Sequence, residues 1–171
     1  MKIVLVGYMG SGKSTIGRLL SKKLNINFID LDDYIERQLE KSISTIFEEH
    51  GEIYFRKMEH NLVKELMNKK DSFILSTGGG TPCYSQNMEV INAKSTNVFY
   101  LKLSIAALVE RLTLEKEHRP LIKNIETAEM PEFIGKHLFE RSFYYQQATN
   151  SISCDNKTPD QVVDEIIGRL T

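Results

Sequence analysis

Cysteine is scarce in these 171 residues: only Cys83 and Cys154 occur, with no CxxC pair and no Cys/His cluster. That excludes a disulfide-stapled scaffold and a structural zinc site, and it points to a reducing compartment, the cytoplasm. An excess of one charge is lacking too, since 22 Lys and Arg face 23 Asp and Glu for a formal net charge of −1. No broad basic field exists to hold a nucleic acid or an anionic membrane, so any bound anion must be gripped locally. The N-terminal apolar run, Ile3 to Val6, is too short for a signal peptide or a membrane span. Internal repeats, low-complexity tracts and Gly/Ser/Pro linkers are absent as well, which leaves a single domain over residues 1–171. With low net charge and no obvious apolar surface stripe, a monomer is the default expectation.

What remains is an alternation. Short β-rich segments at Lys2–Val6, Asn27–Ile29, Phe73–Ser76, Val98–Leu101 and Ser151–Ser153 are separated by stretches of helical periodicity. The helices are expected over Lys13–Leu24, Asp33–Glu40, Ser44–His50 with Gly51 as a stop, Glu52–Asn68, Ile105–Leu114, Pro131–Ala148 and Pro159–Leu170. Such alternation specifies a parallel α/β sheet, whose ligand crevice lies beyond the carboxyl ends of the strands. Chemistry is therefore expected at strand-to-helix turns.

The first of these turns carries the strongest motif. Gly7-Tyr8-Met9-Gly10-Ser11-Gly12-Lys13-Ser14 fits GxxxxGK[ST], between an apolar strand and an amphipathic helix. Glycines let successive backbone N–H groups turn into an anion-sized hollow, and the helix N-terminus adds its positive dipole end. Lys13 can then reach the β- and γ-phosphates of a nucleoside triphosphate while Ser14 offers its hydroxyl to Mg²⁺. Asn68-Lys69-Lys70-Asp71 reads as NKxD, a guanine-reading element of GTPases. It precedes a strand instead of following one, however, and no DxxG accompanies it. It is read as a polar turn.

Several groups could hold a second substrate. Asp30 and Asp32, two apart on extended chain, would face the same crevice, one toward magnesium waters and one toward a hydroxyl; the competing reading is helix capping by Asp32 or Asp33. Arg56 and Glu59 form either an intrahelical ion pair or a site for a carboxylate ligand. Arg141 shares a helical stripe with Ile134, Leu138, Tyr145 and Ala148, so it either meets an anionic ligand or snorkels to the rim. Gly78-Gly79-Gly80 form a second Gly-rich strand exit, where a ligand could approach the backbone. Arg119-Pro120-Leu121 end a segment without periodicity, either a lid bringing Arg119 onto transferring phosphate or a solvated loop. The four histidines show no metal spacing and are read as surface or core residues.

Taken in order, GxxGxGKST, then Phe28-Ile29-Asp30-Leu31-Asp32, then Phe47 to Glu52 leading into Phe55-Arg56-Lys57-Met58-Glu59, then the triple glycine and Arg119-Pro120-Leu121, the chain resembles the shikimate kinases along its whole length. The resemblance implies a fold like that of nucleoside monophosphate kinases, a five-stranded parallel sheet in order 2-3-1-4-5 flanked by helices. It makes residues 31–60 the substrate-binding segment and 112–124 the lid. It implies MgATP-dependent phosphorylation of the 3-hydroxyl of shikimate, a step of aromatic amino-acid biosynthesis. By matching position, Gly10, Ser11, Gly12, Lys13, Ser14 and Thr15 would hold the phosphates, and Arg111 with Pro159 the adenine. Ser14 and Asp30 would serve the magnesium. Asp32 would meet shikimate hydroxyls; Arg56, Gly78, Gly79, Gly80 and Arg141 would hold its carboxylate and ring; Lys13, Asp32 and Arg119 would act in the transfer. A gluconate-type sugar-acid kinase and a nonenzymatic nucleotide-gated binding module are the alternatives.

Overall fold

The computed structural model describes all 171 residues, Met1–Thr171. Five strands, β1 (Lys2–Val6), β2 (Asn27–Asp30), β3 (Phe73–Ser76), β4 (Asn97–Lys102) and β5 (Asn150–Ser153), form one sheet in the order 2-3-1-4-5. Every neighbouring pair is parallel, with Val4 of β1 level with Leu75 of β3 on one side and Val98 of β4 on the other. Helices cover this sheet, so its central strands are buried on both faces and read as unbroken apolar runs rather than as alternating ones. Ile3 to Val6, Ile74, Leu75, Val98 and Phe99 are all fully buried.

Seven helices connect the strands: α1 (Lys13–Leu24), α2 (Leu31–Leu39), α3 (Ile43–Asn68), α4 (Asn87–Asn92), α5 (Ile105–Leu114), α6 (Met130–Tyr145) and α7 (Pro159–Gly168). The two helices expected on either side of Gly51 run on as α3, but Gly51 adopts φ 78° and ψ 176° and kinks the run at the foreseen stop. α2 begins two residues earlier than the expected Asp33, because the Asp30 side chain accepts the amide of Asp32 and caps the helix there. The extended Asp30–Leu31–Asp32 segment is thereby corrected: Asp32 sits in a first helical turn. α6 and α7 stop short of Ala148 and Leu170. The six-residue α4 follows a 3₁₀ turn at Thr81–Cys83 and is too short to show a helical period in sequence.

No helix is long and apolar enough to cross a membrane. The surface is less uniformly polar than the sequence suggested: Phe139 and Phe143, one turn apart on α6, are 82% and 70% exposed.

Because the strands are parallel, their carboxyl ends share one rim. Asp30 at the end of β2 is level with Ser76 at the end of β3, and Leu5 of β1 is level with Ser76. The glycine loop, the Asp30–Asp32 turn and the triple glycine therefore meet at one edge. Asn68–Asp71 precedes β3 and lies at the opposite edge, where Lys69 donates to the Tyr34 hydroxyl at 3.1 Å. That placement agrees with a polar turn.

Candidate active site

Two cavities open along this rim, and they share Asp32, Gly78 and Gly79. The first, about 340 Å³, lies over the glycine loop, and Met9 is the one hydrophobic residue lining it. The loop's sharp path needs glycine, with Gly10 at φ 79° and Gly12 at φ 91°. Gly12 is also the N-cap of α1, and no side chain caps that helix. Its first-turn amides and dipole end are thus left for an anion.

Lys13 projects from this turn with only 8% of its surface exposed. Its ammonium donates to the carbonyls of Gly7 (2.8 Å) and Tyr8 (3.0 Å). Burial lowers its pKa from 10.5 to about 8; Asp32 and Asp30 oppose the shift, and Arg119 and Arg141 add to it. A polyphosphate in the cavity would supply the anionic partner this ammonium lacks.

Ser14 donates to Asp30 Oδ2 at 2.6 Å, and Ser76 Oγ lies 3.4 Å from the Ser14 hydroxyl. Hard oxygen donors on the wall of a phosphate-sized hollow suit Mg²⁺. That ion takes one or two protein ligands and completes its shell with phosphate and water, and no cage of three or more acidic, His or Cys side chains exists here.

Asp32 stands where the two cavities join. Its pKa is raised from 3.8 to about 6, first by burial, then by the charges of Asp30 and Glu59, with Lys13 pulling the other way. A carboxyl in that range can accept a proton near neutrality.

The second cavity, about 690 Å³, is bounded by α3, α6 and the triple glycine. Arg56 forms the intrahelical ion pair and at the same time faces the cavity. It donates from Nη1 to Glu59 Oε1 at 2.9 Å, with Glu59 only 1% exposed, and it also lines the cavity. Glu59 accepts a second bond from the Thr81 hydroxyl at 2.8 Å. Arg56 Nε lies 3.5 Å from Glu52 Oε1 yet has no hydrogen-bond partner, and the guanidinium stacks 3.9 Å over the Tyr84 ring. Arg141, half-buried on α6, has no carboxylate within ion-pair distance. Arg56 is thus flanked by Glu59 and Glu52, whereas Arg141 is the guanidinium of this cavity left free for an anionic ligand.

The glycines leave room for these guanidiniums. A Cβ on Gly80 would stand 2.7 Å from Arg56 Nη2, and one on Gly79 would stand 3.5 Å from Arg141 Nη1 and 3.3 Å from the Met9 amide. The carbonyl of Gly79 is held by the Tyr145 hydroxyl at 2.6 Å.

The remaining expected residues fall around the phosphate cavity. Gly10, Gly12 and Thr15 line it, whereas Ser11 lines a neighbouring hollow of about 230 Å³ together with Arg111 and Pro159. Arg111 borders both spaces and donates to the Gly10 carbonyl at 3.3 Å. Arg119 lines the phosphate cavity while bonded from Nε to Glu115 Oε2 at 2.7 Å. Pro120 and Leu121, next in chain, lie on the second cavity instead, and Ile122 is fully buried.

Sequence reasoning missed three contributors. His137, read from the sequence as a surface or core histidine, lines the second cavity. Thr81 and Tyr145 brace Glu59 and Gly79. Tyr145 was visible only as an apolar stripe position, and nothing local marks the other two.

Comparison with known proteins agrees with this geometry. The shikimate kinase family model matches residues 9–171. A shikimate kinase of Flavobacterium psychrophilum is 52% identical over 165 residues, 96% of each chain. One from Parabacteroides distasonis is 41% identical over 99% of this chain and 96% of its own. A crystal structure of shikimate kinase from Bacteroides thetaiotaomicron superposes with a TM-score of 0.90 at 35% identity, over 98% and 97% of the two chains. That of the Acinetobacter baumannii enzyme in complex with shikimate gives 0.84 at 32% identity, over 97% and 90%. A gluconokinase from Sinorhizobium meliloti, 14% identical with a TM-score of 0.59 over 98% and 89%, shares the fold alone.

Proposed function

The chain belongs to the shikimate kinase family, and from that premise we propose how its own residues carry out the MgATP-dependent transfer of a γ-phosphoryl group to the 3-hydroxyl of shikimate. The observation that supports the proposal is the junction, at Asp32, of the cavity over the glycine loop with the cavity lined by Arg56 and Arg141. The glycine loop with Lys13 cradles the polyphosphate. Arg111 and Pro159, facing one hollow beside the loop, hold the adenine. Arg56 and Arg141 anchor the shikimate carboxylate, while Gly78, Gly79 and Gly80 let the ring lie close to the backbone.

Anchoring the carboxylate at one end aims a ring hydroxyl at Asp32 and thus toward the neighbouring cavity. Asp32 accepts that hydroxyl's hydrogen bond and takes its proton as the new P–O bond forms and the bond to ADP breaks. Ser14 and Asp30 would hold Mg²⁺, which would supply positive charge against the phosphates. Residues 112–124 act as the lid. Arg119 exchanges Glu115 for the transferring phosphoryl group, Pro120 and Leu121 close over the acceptor, and Ile122 pins the segment to the core. Such closure excludes water, which would otherwise compete as acceptor. Residues 31–60, carrying Asp32, Arg56 and Glu59, form the substrate-binding segment. The reaction is placed in the cytoplasm, where ATP is supplied and the two free thiols, Cys83 and Cys154, stay reduced.

ADP release measured with shikimate, with gluconate and with no acceptor tests the assignment. Turnover with shikimate alone is expected. Equal turnover with gluconate would favour a broad sugar-acid kinase, and nucleotide binding without turnover on any acceptor would favour a binding module.

A further inference from the structure

Asp32 can accept from ring hydroxyls of the acceptor, and Arg56 and Arg141 are directed to its carboxylate, but an ionised Asp32 has no hydrogen to donate to a hydroxyl oxygen. Among the other polar side chains lining the second cavity, His137 can supply such a donor. His137 lies one helical turn before Arg141 on α6, on the same side of the helix. Its Nδ1 lies 2.8 Å from the hydroxyl of Tyr8, the second residue of the glycine loop, and the two rings meet edge-to-face at 5.4 Å. Phe133 packs against the imidazole with centroids 5.5 Å apart. The ring is thereby held in place by contacts from two elements.

The tautomer follows from Tyr8. That side chain is 1% exposed, and burial keeps it a neutral phenol, its pKa pushed up to about 12. His137 Nδ1 is its hydroxyl's one protein partner. If Nδ1 carried the hydrogen, the phenol proton would be left without an acceptor in a buried setting, so the hydroxyl donates to Nδ1 and the ring hydrogen sits on Nε2. Burial and the Arg141 charge favour the neutral imidazole, against a smaller opposing pull from Glu140. Nε2 has no partner within the protein and is not sealed from solvent.

Resting on the shikimate kinase reading, we propose that His137 is a specificity-determining residue: oriented by Tyr8, it donates Nε2–H to a ring hydroxyl oxygen of the acceptor that is not the phosphorylated one. Tyr8 acts through it as a positioning residue. The same Tyr8 offers its carbonyl to Lys13, so acceptor reading and phosphate binding share one loop residue.

The test combines kinetics with a spectroscopic signature. His137→Leu is expected to raise the KM for shikimate by about tenfold while leaving that for ATP within about twofold. His137→Gln, whose amide N–H can reach the Nε2 position, should recover most of the loss. With 4-deoxy- and 5-deoxyshikimate, one analogue should bind the parent enzyme about tenfold more weakly, and His137→Leu should erase that difference. In ¹⁵N-histidine NMR the parent should show the Nε2–H tautomer with a shift on adding shikimate, and Tyr8→Phe should mix the tautomers. An unchanged shikimate KM in His137→Leu overturns the proposal, as does a Gln variant no better than Leu, or imidazole nitrogens unmoved by shikimate. Failure of the parent enzyme to turn over shikimate at all would instead overturn the function on which the proposal rests.

Discussion

Arg56 and Arg141 face the same acceptor cavity, yet their replacement should separate binding from stability. Arg56 is committed to Glu59, a carboxylate with 1% exposure, whereas Arg141 has no anionic partner in the protein. On the proposed function, truncating either should remove a charge-assisted bond to the shikimate carboxylate, costing about 2–4 kcal/mol, or about 30- to 700-fold in shikimate affinity. Stability should diverge. Arg56→Met leaves Glu59 charged, buried and held only by Thr81, and breaking such a pair costs about 3 kcal/mol even at the low end. At about 2–4 °C per kcal/mol for a chain of this size, that is a fall in Tm of about 6–12 °C. Arg141→Met deletes an unpaired, half-buried guanidinium and keeps an apolar stem of similar length, so Tm should hold or rise. Isothermal titration with shikimate and calorimetric melting of the ligand-free proteins measure both quantities. An Arg56→Met/Glu59→Met double variant should regain much of the stability and none of the shikimate affinity. A Tm for Arg141→Met several degrees below the parent, with shikimate binding intact, would refute the reasoning and make Arg141 a structural residue.

Three more outcomes follow from the same site. With Asp32 raised to about 6, the acid form is inert as a base, so kcat/KM for shikimate should fall tenfold per pH unit below about pH 6; an acid limb near pH 4 would contradict the assigned environment. Lys13, near 8 in the free protein, is pulled upward by phosphate. MgADP binding should therefore take up a proton above about pH 8 and weaken as pH rises; binding heats without buffer dependence at pH 8.5 would count against it, and Lys13→Ala should lower turnover by about a hundredfold or more. Arg119→Ala should reduce kcat by about a hundredfold with shikimate affinity within a few-fold, since the contact to phosphate is made on closure. An unchanged kcat would return residues 112–124 to the status of a surface loop.

Local conformational demands were legible in the sequence. The glycine loop could be read because positive φ at Gly10 and Gly12 leaves little freedom of residue type, and the strand before it because a doubly covered parallel strand must be apolar throughout. Family resemblance then supplied the sheet order and the substrate's name. Asp30 and Asp32 were correctly brought to the crevice by a wrong local geometry: the spacing was read as extended chain, but Asp30 caps a helix that starts at Leu31. Long-range pairing was not legible. Tyr8 meets His137 across 129 positions and Tyr145 meets Gly79 across 66, and no local pattern encodes such contacts. That Arg56 pairs with Glu59 while facing a cavity was open for a related reason, since an i,i+3 ion pair looks the same in sequence whether or not a cavity lies beside it.

If the two cavities are halves of one reaction site joined at Asp32, phosphate passes directly from nucleotide to an acceptor held by its carboxylate. The product tests this most directly. With MgATP and ¹³C-labelled shikimate, ³¹P and ¹³C NMR should show one phosphate ester, with phosphorus coupling at C3 and its neighbours and ADP formed in equal amount. Free phosphate without ester, or an ester at another hydroxyl, would contradict it.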